Sequence, residues 1–337
     1  MKDFKEILDK HEILKWGVVN DPLAHSYEHY KKWVEDGNHG VLKYLEGERA
    51  EKRESIQNYY EDFKSALVIA YDYSRTSKVS EKFYESSESN GFRVANYVLG
   101  FKGRDYHFEL REKLEALAAD FKEILPNVEI KHSLDTQPVL ERDLAMRAGL
   151  GWFGKNSMII NKDIGSYFIL GALFFSEDIT KAEFEIPTPK LEVDHCGSCT
   201  KCIDLCPTDA ISPDSRTLIA DKCISTFTIE LFKEAEAPEG MEKGRGEIFG
   251  CDICQDVCPW NKRIIRQSDE VSSEEVEDFK NRNRVLVDMI LTPPLEDVIE
   301  KLEGMSNREY RRVTKDTPVS RTGRVGILKN LKFYKKD

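Results

Sequence analysis

The pattern of apolar and polar positions in the first part of the chain predicts alternating strands and helices. Residues 65–71 form a short apolar run rich in strand-forming residues, and residues 128–134 alternate between apolar and polar positions, so both predict strands. Residues 158–160 and 167–175 predict two more strands. A long helix is predicted from apolar residues that recur every three or four positions: Leu110, Leu114, Leu117, Ala118 and Phe121.

The order of these elements predicts a mixed fold. Helices are expected over residues 1–64 and 141–148, so strands and helices alternate up to about residue 190. Cysteines follow, and after them comes a charged helical pattern. We therefore expect an α+β protein with an α/β-layered first domain, an inserted ferredoxin-like domain and a short helical, basic C-terminal segment. The expected boundaries are residues 1–190, 191–262 and 263–337.

Composition and charge limit the classes of protein that fit. Of the 337 residues, 40% are hydrophobic and 33% are charged, which is typical of soluble globular proteins. No apolar stretch approaches the roughly 20 residues that span a bilayer, and the N-terminus does not resemble a signal peptide, so we expect a cytoplasmic protein without membrane contact. The net charge is −11, yet residues 308–337 carry ten basic and three acidic side chains. This basic end is a candidate contact for a polyanion.

The first cysteine group has the spacing of a bacterial ferredoxin. Cys196, Cys199 and Cys202 are separated by two residues each, and Cys206 follows after three more, directly before Pro207. In ferredoxins with this spacing the fourth cysteine binds the other of two clusters. Zinc sites also use pairs of cysteines two residues apart, and a disulfide scaffold is a further alternative. The reducing cytosol and the repeated cysteine-proline ending favour two [4Fe–4S] clusters.

The second cysteine group is incomplete. It contains Cys251, Cys254 and Cys258, but Ile248 stands where the first cysteine is expected, and Cys223 can fill that role from a distance. Exchange of the fourth ligands between the groups predicts one cluster on Cys196, Cys199, Cys202 and Cys258. The same exchange predicts a second cluster on Cys206, Cys223, Cys251 and Cys254.

Two stretches outside the cysteines are dense in residues that can carry chemistry. Asp135 follows a predicted strand and precedes a proline-bearing turn, so its carboxylate can face a pocket. Gly149, Gly151 and Gly154 allow the backbone to lie close against a flat ligand. The alternative is that Asp135 caps the following helix and that the glycines only form turns.

Several motifs resemble those of the epoxyqueuosine reductase family. They are 135–142 (DTQPVLER), 149–156 (GLGWFGKN), 223–230 (CISTFTIE), 250–261 (GCDICQDVCPWN), 104–107 (RDYH) and 37–40 (GNHG). The resemblance runs in order from the N-terminus to about Asn330. It implies an enzyme that reduces the epoxide of epoxyqueuosine to the alkene of queuosine at the wobble position of transfer RNA.

The resemblance also implies cofactors, partners and roles for residues. Cobalamin is expected in the first domain, where an external donor such as a flavodoxin or ferredoxin system reduces cob(II)alamin to cob(I)alamin through the two clusters. The general acid is expected to be Asp135, with a pKa raised by burial against the cofactor and substrate. The substrate is the anticodon stem-loop of transfer RNA, and the enzyme is expected to be a monomer. Cofactor contacts are expected at Gly154, Lys155, Asn156, Ser157 and Asp252, and substrate contacts at Tyr106, His107, Arg321 and Arg324.

The chain departs from the family pattern in three places. Gln137 replaces the glycine that often follows the Asp-Thr pair, which can alter the turn. Many members continue into a C-terminal helical repeat, so part of the RNA contact is expected to be missing or supplied otherwise. The cobalt-ligating D-x-H-x-x-G pattern is absent because Leu110 stands in the place of its glycine, which fits a corrinoid without a protein ligand to cobalt.

Two other functions compete with this interpretation. A reductive dehalogenase shares cobalamin and two clusters, but it usually carries a twin-arginine export signal, and the first Arg-Arg pair here is Arg311-Arg312. A non-catalytic electron carrier needs neither a domain of 190 residues before its clusters nor a basic end. Corrinoid absorption bands would separate an electron carrier from either enzyme.

Overall fold

The computed structural model describes residues 4–182, 184 and 186–335, and its contacts divide the chain into two units. Unit 1 comprises Met1–Asp72 and His107–Cys199, and unit 2 comprises Tyr73–Tyr106 and Thr200–Asp337. The predicted N-terminal helix begins at Phe4. The first three residues of that prediction, and Lys336 and Asp337 of the basic end, lie outside the described residues.

Unit 1 is built on a four-stranded sheet in which every pairing is antiparallel. The strands Ser65–Asp72 and Phe168–Phe175 pair along their full length in the middle, and Trp16–Val19 and Ile130–Ser133 pair at the edges. The first six residues of Ser65–Asp72 are buried, as its continuous apolar run predicts. The α+β class is confirmed, whereas the expected α/β layering is corrected because no strand of this sheet runs parallel to its neighbour.

Short elements complete unit 1. The strands Trp152–Phe153 and Ile159–Ile160 form a small antiparallel hairpin, of which only the second strand was predicted. The predicted long helix spans Tyr106–Ile124 and buries Leu110, Leu114, Leu117 and Phe121. The other helices are Phe4–Lys10, Tyr27–Glu35, Glu48–Lys52 and Glu141–Arg147, with 3₁₀ turns at Lys43–Leu45, Ile56–Asn58 and Ile179–Lys181.

Unit 2 combines the cysteine region, the C-terminal segment and a segment from the first half of the chain. The strand Arg93–Val94 pairs with Glu247–Phe249, and Val79, Phe83 and Val98 share a core with residues of the C-terminal helices. The structure therefore differs from the expected domains. Residues 73–106 fold with unit 2 because their apolar side chains are buried there. Residues 191–199 belong to unit 1, and residues 200–262 share unit 2 with 263–337.

The helices of unit 2 are short and numerous. They are Ser74–Tyr84, Asn96–Leu99, Lys201–Asp204, Ile224–Glu230, Ile253–Asp256, Pro259–Gln267, Ser273–Arg282, Arg284–Leu286, Leu295–Gly304, Asn307–Val313 and Gly323–Phe333. A π-helical turn spans Val287–Leu291, and 3₁₀ turns span Phe101–Gly103, Ala220–Lys222, Met241–Lys243 and Pro318–Ser320. None of the described helices is both long enough and apolar enough to cross a membrane.

Candidate active site and cluster ligands

Asp135 lies in the loop between the strand Ile130–Ser133 and the helix Glu141–Arg147 of unit 1. Its backbone is left-handed, with φ of 56°, which is uncommon for a residue with a side chain. The Asp135 side chain is 49% exposed, and its Oδ2 atom lies 3.3 Å from Nε2 of His107. The structure thus brings together two site residues that the sequence places 28 positions apart.

The backbone of this loop donates hydrogen bonds to two nearby side chains, those of Glu141 and Gln137. The N–H of Asp135 donates to Oε1 of Glu141 at 2.6 Å. The N–H of Leu134 donates to Oε1 of Gln137 at 2.8 Å, so the residue that replaces the usual glycine stabilises the turn. Asp135 is not a helix cap, because the helix that begins at Glu141 has Leu140 as its N-cap and no side-chain cap.

Glu141, which begins the helix after this loop, has a carboxyl group with an altered pKa. Removal of water by the surrounding protein raises the pKa of Glu141 to about 8, and the nearby negative charge of Asp135 adds to the effect. Asp135 itself was expected to be buried, and here its side chain is about half exposed because the loop lies at the surface of unit 1. A raised pKa of Asp135 therefore depends on cover by bound ligands and stays a prediction.

Residues 154–157 form the tip of the small hairpin. The N–H of Gly154 donates to the Met158 carbonyl at 2.7 Å, and the N–H of Ser157 donates to the Gly154 carbonyl at 3.0 Å. Arg142 donates to the Ser157 carbonyl, which ties the tip to the helix after the Asp135 loop. Lys155 donates to the carbonyls of Gly197 and Cys199, at 2.8 and 2.9 Å, and so holds the start of the cysteine region.

The three glycines near this tip face protein atoms. A Cβ added to Gly151 would lie 2.2 Å from the carbonyl oxygen of Ile160, and one added to Gly149 would lie 3.0 Å from that of Lys190. A Cβ on Gly154 would lie 2.6 Å from Cδ1 of Ile160 and 2.7 Å from Oδ1 of Asn156. Close packing within unit 1 therefore requires these glycines, and a contact of their backbone with a flat ligand stays a prediction.

In unit 2, Cys202 and Cys206 of the first group lie close to Cys254 of the second group. The helix Lys201–Asp204, which contains Cys202, packs against the helix Ile253–Asp256, which contains Cys254. Burial raises the pKa of the Cys254 thiol, and the neighbouring Cys223 and Cys206 add to the effect. All eight cysteines are free thiols, so a disulfide scaffold is contradicted.

The second predicted ligand set is close together in space. Burial raises the pKa of Cys251, to which Cys254 and Cys223 contribute, and it raises the pKa of Cys223, to which Cys206 contributes. Within the described part of the chain, no group of three or more His, Cys, Asp or Glu side chains is arranged to hold a metal ion. Cys223 lies near the other three cysteines of this set, and its role as the replacement for the missing cysteine stays a prediction.

Asp252 is buried, and in the sequence it lies between Cys251 and Cys254. Its Oδ2 atom accepts the backbone N–H of Asn96 at 2.6 Å, and its Oδ1 atom accepts Nε2 of Gln255 at 3.0 Å. Burial, together with the charge of Asp256, raises the pKa of Asp252 to about 7. These contacts hold the helix Asn96–Leu99 to the cysteine region, and a contact of Asp252 with the cofactor stays a prediction.

The two arginines expected to bind phosphate have partners inside unit 2. Nη2 of Arg321 lies 2.8 Å from both carboxylate oxygens of Glu230. Arg324 donates to Oδ1 of Asn307 at 3.0 Å and to the carbonyl of Leu302 at 2.9 Å. Both contacts fix the packing of the C-terminal helices, and the phosphate role of these arginines stays a prediction.

Tyr106, a predicted substrate contact, belongs to an aromatic group in unit 2. Its ring centre lies 5.7 Å from that of Tyr97 and 6.3 Å from that of Phe101. Phe101, Lys102 and Gly103 all have positive φ, so the chain just before Tyr106 makes a tight left-handed turn. The turn fixes where the Tyr106 side chain leaves the backbone.

Sequence reasoning missed the roles of Glu141, Gln137 and Arg142. Glu141 and Arg142 end the motif that begins with Asp135, and Gln137 was noted only as a departure from it. A glutamate six residues after the expected acid can reach back to the loop that contains the acid. The sequence alone does not show in which direction the glutamate side chain points. The direction depends on the left-handed backbone at Asp135, which is not a property of the aspartate type.

Two family models match parts of the chain. Residues 53–136 match the family described as "Epoxyqueuosine reductase QueG, DUF1730". Residues 195–261 match the family described as "4Fe-4S double cluster binding domain". This range contains all eight cysteines, including the isolated Cys223.

 The cysteine region is thereby assigned to iron–sulfur binding, and the zinc alternative is not supported.

Relatives and solved structures match over most of the chain. An epoxyqueuosine reductase of Cyclobacterium marinum is 32% identical over 307 residues, which cover 91% of this chain and 87% of that protein. A solved epoxyqueuosine reductase of Streptococcus thermophilus is 25% identical with a TM-score of 0.71, and the match covers 97% of this chain and 78% of that one. A crystal structure of an epoxyqueuosine reductase with an epoxyqueuosine-modified tRNA-Tyr stem loop is 26% identical with a TM-score of 0.70, covering 97% and 79%.

Proposed function

The chain belongs to the epoxyqueuosine reductase family, and from this membership we propose that it reduces the epoxide of epoxyqueuosine to the alkene of queuosine at the wobble position of transfer RNA. The reaction takes up two electrons and two protons, and the epoxide oxygen leaves as water. The protein therefore has to deliver electrons, supply a proton at the departing oxygen and hold an RNA substrate.

The observation that carries the proposal is the proximity of Asp135 to His107. Asp135 lies on a loop held by hydrogen bonds, and His107 lies on the helix Tyr106–Ile124. Oδ2 of Asp135 lies 3.3 Å from Nε2 of His107, so the imidazole is a close electrostatic neighbour of the carboxyl. An alkoxide is a poor leaving group, so a proton from Asp135 would assist the departure of the epoxide oxygen. A positioned acid of this kind typically contributes about 10²–10⁴-fold to the rate.

The clusters are proposed to take electrons from an external donor such as a flavodoxin or ferredoxin. The proposed ligand sets are Cys196, Cys199, Cys202 and Cys258 for one cluster and Cys206, Cys223, Cys251 and Cys254 for the other. The proximity of the second set fits this assignment, and iron favours the thiolate form of each cysteine over the protonated form.

Family membership implies cobalamin as the further cofactor, and bound cobalamin would supply a strongly reducing cobalt centre. We propose that the hairpin tip, residues 154–157, contacts it, with Asp252 as a further contact. The tip can offer hydrogen bonds to a large ligand that carries amide groups, because Lys155 and Ser157 are partly exposed and backbone hydrogen bonds of Gly154 and Ser157 hold the turn. The residues of the tip would then orient the cofactor.

The substrate is proposed to be transfer RNA, contacted by Tyr106, His107 and the basic C-terminal segment. A solved relative with a modified stem loop supports this partner. We also propose that the enzyme acts as a monomer in the cytoplasm, where transfer RNA is modified.

Nucleoside analysis of transfer RNA tests the proposed function. A strain that lacks this chain should accumulate epoxyqueuosine, and expression of the chain should restore queuosine. Queuosine at its normal level in the deletion strain would contradict the proposal. The visible spectrum of the anaerobically reconstituted protein with added cobalamin provides a second test, because an electron carrier would retain no corrinoid bands after desalting.

A further inference from the structure

Several exposed helices of this protein pair their cations with nearby acids. Lys32 pairs with Asp36 at 3.0 Å, one helical turn away, and Arg284 pairs with Asp288 at 3.1 Å. Arg282 contacts Asp278 at the same spacing. Such i,i+4 pairs are the ordinary way in which an exposed helix carries charge.

The helix Asn307–Val313 of unit 2 departs from this arrangement. It carries Arg308, Arg311 and Arg312 at a spacing that places them on one face, and Lys315 follows within one turn of its end. We call these four residues the basic stripe. All four are exposed, and within the described part of the chain none of their side chains has a hydrogen bond or an ion pair.

The opposite face of the same helix is fixed in the core. Tyr310 is fully buried, and its hydroxyl donates to the Val319 carbonyl at 3.0 Å. Thr314 is also fully buried and donates to the Tyr310 carbonyl at 2.8 Å. The helix cannot turn its cations inward without exposing these residues, so the basic stripe has a fixed orientation in unit 2.

Four other cations of the C-terminal segment have partners within the protein. Arg321 and Arg324 have the partners described above, and Lys332 pairs with Glu303 at 2.6 Å. Lys329 donates to the carbonyls of Phe227 and Leu231, and burial lowers its pKa to about 8. Among residues 308–335, five cations have no side-chain hydrogen bond or ion pair, and four of them form the basic stripe; the fifth is Lys335.

We propose that the basic stripe binds backbone phosphates of the transfer RNA substrate. This inference rests on the proposed function, and it assigns the phosphate contacts to Arg308, Arg311, Arg312 and Lys315 in place of Arg321 and Arg324. A row of unpaired cations on a rigid helix matches the regularly spaced charges of an RNA backbone, which contribute affinity without requiring a particular sequence.

The position of the stripe favours RNA over an acidic electron-carrier protein. The turn that follows the stripe is tied to the predicted substrate segment, because the carbonyl of Asp316 accepts the N–H of Asp105 at 2.7 Å. Asp105 directly precedes Tyr106, a predicted substrate contact. Phosphates bound at the stripe would therefore be continuous with the segment that contacts the modified nucleotide.

The test compares two variants with equal loss of charge. Arg311→Gln/Arg312→Gln removes two cations of the stripe, and Arg282→Gln/Arg284→Gln removes two exposed cations that have acidic partners. Binding of the reconstituted proteins to epoxyqueuosine-containing transfer RNA is measured over a range of salt concentrations. The stripe variant should bind roughly tenfold or more weakly, and its salt slope should fall by about 0.7–0.9 for each lost phosphate contact.

The control variant should keep the wild-type affinity and slope. Equal slopes for wild type and stripe variant would overturn the proposal, as would a stripe variant that binds RNA normally but is reduced slowly by an acidic flavodoxin. A wrong proposed function would give a different result. The wild-type enzyme itself would then leave epoxyqueuosine unreduced, independently of the RNA affinity of the stripe variant.

Discussion

Asp135 is the most constrained residue of the candidate active site. A non-glycine residue in the left-handed region costs of order 1–3 kcal/mol, and it persists only where its surroundings hold it. Here Glu141 accepts the Asp135 N–H and Gln137 accepts the neighbouring N–H of Leu134. These contacts determine where the exposed Asp135 carboxyl is presented.

Glu141 is therefore expected to act as a positioning residue. Glu141→Gln keeps an oxygen that accepts the Asp135 N–H, whereas Glu141→Ala removes it at a cost of about 1 kcal/mol, or more if the N–H stays buried. The alanine variant should turn over roughly tenfold more slowly in a single-turnover assay, and the glutamine variant should stay near the wild-type rate. If both variants are equally slow, Glu141 acts as an acid instead.

The raised pKa of Glu141 also predicts a pH dependence of stability. The folded protein keeps a proton on Glu141 up to about pH 8, whereas the unfolded chain releases it near its ordinary pKa of 4.5. Proton release thus favours the unfolded state in this window, so the contribution of Glu141 to the free energy of unfolding should fall as pH rises from about 4.5 to 8.

Urea unfolding of the reconstituted protein at several pH values measures this contribution. Glu141→Gln cannot titrate, so its free energy of unfolding should gain on that of the wild type as pH rises through the window. Glu115→Gln, at an exposed position of the helix Tyr106–Ile124, serves as the control and should follow the wild type. A constant difference between Glu141→Gln and wild type would contradict the pKa assigned to Glu141.

Among the elements, the longest apolar runs could be predicted from the sequence and the shortest strands could not. The run at residues 65–71 became the central strand Ser65–Asp72 because it is long enough to be buried on both faces. The strands Arg93–Val94 and Trp152–Phe153 have two residues each, too few to show a period. The pairing of Arg93–Val94 with Glu247–Phe249 spans about half of the chain, and local patterns contain no information on it.

The residues of the candidate site also differ in whether the local sequence could predict their roles. Cysteine spacing is a local property, and it was sufficient to propose both ligand sets, including Cys223. The partners of Arg321 and Arg324 are not local, because Glu230 comes from another helix and is chosen by packing. A count of charges in the sequence therefore locates a basic segment but does not distinguish free arginines from paired ones.

The position of Cys223 leads to a prediction for the cysteine region. Cys223→Ala removes the only ligand of the second set that lies outside the two groups, so one cluster should be lost or damaged. Iron content after anaerobic reconstitution should fall from about eight to about four per chain. Cys196→Ala should affect the other cluster, which distinct electron paramagnetic resonance signals can show. Full iron content in Cys223→Ala would remove this cysteine from the ligand set.

On the scale of the whole molecule, the proposed proton donor and the proposed second cluster lie in different parts of the chain. Asp135, His107 and Glu141 belong to unit 1, and the second proposed ligand set belongs entirely to unit 2. A substitution at Asp135 should consequently leave cluster content, cobalamin binding and RNA binding intact. This separation allows the chemical step to be tested without loss of the cofactors.

The most direct test of the account is a single-turnover assay with reduced, cofactor-loaded enzyme and epoxyqueuosine-containing transfer RNA. Asp135→Asn keeps the shape of the side chain but cannot deliver a proton, so queuosine formation should slow by about 10²–10⁴-fold relative to wild type. Cluster absorption and RNA affinity measured on the same sample should match those of the wild type. A variant that forms queuosine at a near-normal rate would contradict the account and remove Asp135 as the acid.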